Sequence, residues 1–270
     1  MNEDKKNDKQ GHYYLATLLV RLFPNQIRTI REKTTHVARD LLKALQEMQQ
    51  DIEIISEVES ELKKTLLQLG FPPNLDHLYT RSYSELLCKI RSSHTEDQLL
   101  KDLNEYMCNL FNDEVIDEIF MEWESFHSIN RRRKILHEII ECHKHGFYFT
   151  SIPAALTQIE GSVMDAFKIT GETKNGAHYI MLEELLETDF EKEVHVFYTD
   201  HIKGRFILGA DLRNAIGRNA ILHGYDTGYG TELSSLKVIL FLDYLFKRIE
   251  LLDDSDIKPF LERNRNRIFK

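Results

Sequence analysis

The sequence predicts an all-α protein, an N-terminal helical region followed by a helical bundle, on three observations. Glycine and proline are scarce, 12 and 5 among 270 residues, which disfavours the many tight turns of an all-β chain. Apolar residues recur at helical spacing, as at Val37, Leu41, Leu42, Leu45 and Met48. Hydrophobic residues make up 42% and charged residues 29%, a balance that buries a core rather than leaving the chain disordered.

Residues 1–12 read as a polar tail with no apolar signal core behind it. The longest purely apolar run, 238–242, is far shorter than the ~18 residues of a membrane span, so the expectation is a cytoplasmic protein with no membrane partner. Cys88, Cys108 and Cys142 stand far apart without metal-ligand spacing, which predicts free thiols, no metal and no cofactor. A net charge of -9 excludes a broadly basic nucleic-acid coat but leaves room for a local cationic groove.

Residues 13–127 carry one glycine, Gly70, and read as stacked helices broken at Gly70-Phe71-Pro72-Pro73. The acid-rich stretch 51–64 reads as a solvated helix face, and no acid, nucleophile or ligand cluster in this half has a chemical spacing. It is expected to be a regulatory or sensing arm. A domain boundary is expected near 128, where the run Arg131-Arg132-Arg133-Lys134 begins and after which ten of the twelve glycines fall.

Within 128–252 the pattern predicts a helix over 135–145 that stops at Gly146. Ser151-Ile152-Pro153 reads as the start of the next, with Ser151 as N-cap and a stripe of Leu156, Ile159, Val163 and Phe167. The polar segment 171–178 reads as a surface connection, 179–193 as an acidic helix, and 198–206 as irregular or briefly extended before a helix resumes near Gly209. A last long helix is expected over 234–252, with Leu236, Ile239, Leu240, Asp243 and Phe246 in register, and 253–270 as a polar, solvated or partly helical tail.

The chemistry concentrates in 203–225, where Lys203, Arg205, Arg213 and Arg218 face a single acid, Asp211. These cations make an anion-binding region in an anionic chain, with Lys203, Arg205 and Arg213 as substrate-binding candidates. Asn219 and His223 lie four residues apart on one helix face, beside Ala215, Ile216 and Leu222. Arg218 and His223 are five apart, about 140° around an ideal helix, so one copy does not bring them together. Two copies across a two-fold axis would, and a homodimer is therefore expected. Glu160 flanks an apolar stripe, where an acid usually has a cationic partner; Arg218 is a candidate, and the alternative is a surface acid at the stripe's edge.

Arg31 to His36 and Arg132 to His137 share the spacing of Arg218 to His223, but only Arg218 has asparagine after it and a glycine on each side, Gly217 and Gly224. With SIPAALTQIEG upstream and YGTELSSLKVILFLDYL downstream, the segment 131–250 resembles the HEPN domains, in the form found in bacterial abortive-infection proteins. The resemblance implies a HEPN-like bundle and a metal-independent endoribonuclease, a toxin or phage-defence effector on RNA. The RNA 2'-hydroxyl would attack its own 3'-phosphate. His223 would move the proton, Arg218 would hold the phosphate, and Asn219 would orient His223 or a phosphate oxygen. His-Gly-Tyr at 223–225 is similar to the His-x-Tyr ending of toxins silenced by adenylylation, which makes Tyr225 a supporting candidate beside Glu160 and implies an antitoxin or nucleotidyltransferase partner. The alternative is a non-catalytic dimeric binding or scaffold protein of the same type.

Overall fold

The computed structural model describes residues 60, 62–72, 85–86, 88–90, 92, 95–186, 192–204 and 216–270. The chain divides into two compact units, Met1–Val58 and Glu59–Lys270, and all described residues belong to the second. The described residues are predominantly helical, and their one β-bridge joins Thr173 to Phe269. Among the described residues, 62–68 are helical, and the helices that follow with both ends defined are α1 (Glu96–Leu110), α2 (Asp113–Ser125), α3 (Arg133–Lys144), α4 (Tyr148–Ala166), α5 (Ala177–Leu186), α6 (Lys192–Phe197), α7 (Arg218–Leu222), α8 (Glu232–Glu250) and α9 (Asp254–Ile268).

The centre is α8, packed chiefly on α4, which in turn packs on α3. Val238, Ile239, Leu240, Phe241 and Leu242 are all fully buried, so the apolar run covers every side of the helix at that level, as expected for a helix enclosed by others. Thr231 caps it, its hydroxyl accepting from the Ser234 amide at 3.1 Å.

The boundary expected near 128 is spanned by contacts, one buried and one at the surface. The Trp123 ring meets Phe246 edge-on at 5.0 Å, and its Nε1 donates to Asp243 Oδ1 at 2.7 Å. Glu250 accepts from the Ser128 hydroxyl at 2.7 Å. Further upstream Leu62, Leu66 and Phe71 join the same core. The basic run at 131–134 fastens α3 to its neighbours. Arg132 donates to Gln158 at 2.7 Å and to Asp165 at 2.6 Å, Arg131 reaches Asp165, and Arg133 bonds the Glu124 carbonyl. A Cβ at Gly161 would lie 2.7 Å from the Arg132 guanidinium, so the mid-helix glycine makes room for that arginine.

Three expectations change, and a fourth, the partly helical tail, is sharpened. Helix α4 begins at Tyr148, so Ser151 is not an N-cap; its buried hydroxyl donates to the Ile139 carbonyl and meets Ser235 at 3.1 Å. Pro153 then sits inside the helix, where its missing N–H deprives the Phe149 carbonyl of a donor, and the Tyr229 hydroxyl supplies one at 3.1 Å. The segment expected to be irregular from 198 is a turn of π-helix, Tyr198–Lys203. The C-terminal tail is largely the helix α9, because Ile257, Phe260 and Ile268 give it an apolar side to bury. The helix expected to resume near Gly209 lies outside the described residues.

Candidate functional site

Helix α7 is short because its two ends are tied down. The Ile216 amide donates to the His201 carbonyl at 2.6 Å, and Gly217 takes φ 66°, a conformation that suits glycine, before Arg218 opens the helix. Beyond Leu222 the His223 amide bonds the Asn219 carbonyl at 3.1 Å, and the Tyr225 and Asp226 amides both reach Ala220. Arg218 is thus the first residue of α7 and His223 its C-terminal cap.

Arg218 points at α4, where its Nη2 donates to Glu160 Oε2 at 2.8 Å, so the expected Glu160–Arg218 pair is present. Its Nη1 donates to Asn219 Oδ1 at 3.3 Å, which places Asn219 on the arginine rather than on His223. The other Glu160 oxygen, Oε1, lies 3.2 Å from Nδ1 of His178 in the first turn of α5. Tyr179 follows His178, with the two rings 3.9 Å apart, and the Lys203 ammonium sits 3.8 Å over the Tyr179 ring. Tyr198 completes the group, its ring 6.3 Å from Tyr179 and stacked on Phe241.

The electrostatics run through Glu160. His178 first and then Arg218 hold its carboxyl below the usual carboxylate range, against the opposing effect of burial. Burial raises the Tyr179 and Tyr198 hydroxyls, and the Arg218 charge partly offsets both shifts. Three buried polar atoms of this group, Arg218 Nε, His178 Nε2 and the Tyr198 hydroxyl, have no hydrogen-bond partner.

His223 caps the C-terminal end of α7 and Tyr225 lies on the turn that follows. Both are exposed, Tyr225 at 59%, and the structure does not bring His223 onto Arg218 within one chain. Arg205 and Arg213 lie outside the described residues. No group of three or more His, Cys, Asp or Glu side chains among the described residues is arranged for a metal, and Cys88, Cys108 and Cys142 are free thiols. No helix among the described residues is long and apolar enough to cross a membrane.

No protein-family model, curated protein or solved structure matches the chain. The site stands on its own geometry.

Sequence reasoning missed His178, assigning it to the end of a surface loop. A signal was present: 178, 181, 182 and 185 share one helical face, and Met181, Leu182 and Leu185 are apolar and buried. A histidine on such a face needs a polar partner, and Glu160 is that partner.

Proposed function

We propose that this chain is a cytoplasmic, metal-independent endoribonuclease of HEPN type that works as a two-fold homodimer, with toxicity or phage defence as its biological use. The observation that carries this reading is the placement of Arg218 and His223 at opposite ends of one short anchored helix. The arginine is aimed by Glu160 and Asn219, and the histidine is exposed to solvent. Arg218 takes a phosphate oxygen and stabilises charge on the five-coordinate phosphorus. His223 takes the proton from the 2'-hydroxyl, whose oxygen bonds to phosphorus. The bond to the 5'-oxygen breaks and that oxygen is protonated in turn, leaving a 2',3'-cyclic phosphate. Because the arginine and histidine of one chain diverge, the second copy supplies the missing half of each site. Lys203, beside Tyr179, adds a further cation for RNA, and Arg205 and Arg213 are substrate-binding candidates on their sequence position alone. Tyr225, exposed on the turn after His223, is the acceptor for a partner nucleotidyltransferase, and an antitoxin would cover the same face.

The test is purified full-length protein on total RNA with EDTA present. His223→Ala and Arg218→Ala should each lower cleavage 10²–10⁴-fold while leaving the circular dichroism spectrum unchanged. His137→Ala, at the decoy spacing, should cleave normally. The second reading, a non-catalytic dimeric binding protein, is favoured by the low exposure of the Arg218 side chain, 13%, and by its neutralisation through Glu160. It gains if the histidine variant cleaves as the parent does, or if no cleavage accompanies tight dimerisation.

A further inference from the structure

The cluster around Glu160 has an inverted layering. Its acid is the outer group, 43% exposed, while the bases it joins are the inner ones, with the Arg218 side chain 13% and the His178 side chain 10% exposed. Each carboxylate oxygen has its own base, Arg218 Nη2 at 2.8 Å and His178 Nδ1 at 3.2 Å, the two-point grip with which proteins hold a carboxylate or a phosphate. The groups around Glu160 are not saturated. Here Arg218 Nε, His178 Nε2 and the Tyr198 hydroxyl remain buried without any partner, and Lys203 brings a second full positive charge to Tyr179.

We propose that Glu160 is an internal stand-in for a phosphate oxyanion: Arg218 and His178 form an anion clamp that the chain's own carboxylate closes, and a phosphoryl ligand binds by displacing it. Rotation of a half-exposed carboxylate into water restores its hydration, so the displacement loses little. It frees the Arg218 and His178 donors for a ligand with several acceptor oxygens. This deepens the ribonuclease reading and rests on it for one point, that Arg218 is the residue meeting RNA phosphate. Glu160 would then compete with substrate rather than assist it.

The experiment is calorimetric titration of the full chain with inorganic pyrophosphate, which tests the clamp independently of RNA cleavage. E160Q removes the competing charge at constant size and should bind pyrophosphate at least about tenfold tighter than the parent. E160D keeps the charge but is one methylene too short to reach both bases, and should show a smaller gain. In E160Q combined with R218A the gain should vanish. If E160Q does not fold by circular dichroism, E160D decides alone. Unchanged or weaker binding in the folded single variants, or a gain that survives loss of Arg218, overturns the proposal. An RNA assay without cleavage, by contrast, sinks only the catalytic reading.

Discussion

Asp243 and Glu160 are both carboxylates held by cations and a ring nitrogen donor, yet they stand in opposite surroundings. Asp243 is fully buried, accepting from Trp123 at 2.7 Å and from Lys247 at 3.1 Å, at the point where α2 meets α8. Nearby, His143, Ser151 and Ser235 form another enclosed network, with His143 Nδ1 2.8 Å from the Ser235 hydroxyl. Glu160 is half-exposed, and the groups around it keep three buried polar atoms unpartnered. A closed polar network fixes how helices meet and has nothing left to offer a ligand. An open one has polar groups left for a ligand, which is the difference that the proposed function uses on the Glu160 side of the molecule.

The contrast predicts where stability resides. Trp123→Ala should cost about 3–5 kcal/mol, because it empties the space against Phe246 and removes the Asp243 donor, and denaturant unfolding measures this. A loss below about 1 kcal/mol would mean that the Asp243 network does not join α2 to α8.

Acid should attack the His143 network next. Burial lowers the His143 imidazole from its ordinary value of 6.5 to about 4, so between those values the unfolded chain binds a proton that the folded chain refuses. The contribution is complete above 6.5 and declines as pH falls towards 4, by up to about 3 kcal/mol. Urea midpoints measured across this window should fall, and less steeply in His143→Gln.

Arg218→Ala should cost only about 1 kcal/mol or less in stability, since the Glu160 it leaves behind can hydrate. A loss as large as that from Trp123→Ala would erase the distinction between the two carboxylates. The smallest effect is the titration of Glu160 itself. Its depressed value means the ion pair is present above the usual carboxylate range and is lost as pH falls through the lower folded value. His178 is the largest cause, so the carboxyl-carbon titration of Glu160 should move upward in His178→Ala; no movement would detach His178 from the cluster.

Much of this was legible in the sequence where periodicity and local chemistry act alone. The helix expected over 135–145 is α3, ending one residue earlier with Gly146 at φ 76° after it, and the last long helix lies within two residues of its expected ends. The flank position of Glu160 pointed to a cationic partner without selecting one, and Arg218 was a candidate beside the plain reading of a surface acid. The tail 253–270, expected to be solvated or partly helical, was less legible because five apolar residues scattered among many charges give no clear stripe until there is a surface for them to cover; three of them are buried.

The sequence by itself determined the helical class, the placement of the main helices and the local excess of cations between 203 and 225, because side-chain periodicity and charge are properties of neighbours along the chain. Only the tertiary structure decided that Trp123 shares a core with Phe246, and that His178 rather than His223 meets Glu160 beside Arg218. Those contacts join residues 123 and 58 positions apart between Trp123 and Phe246 and between Glu160 and Arg218, and such pairings are selected by how whole helices bury their apolar faces, which no local pattern encodes.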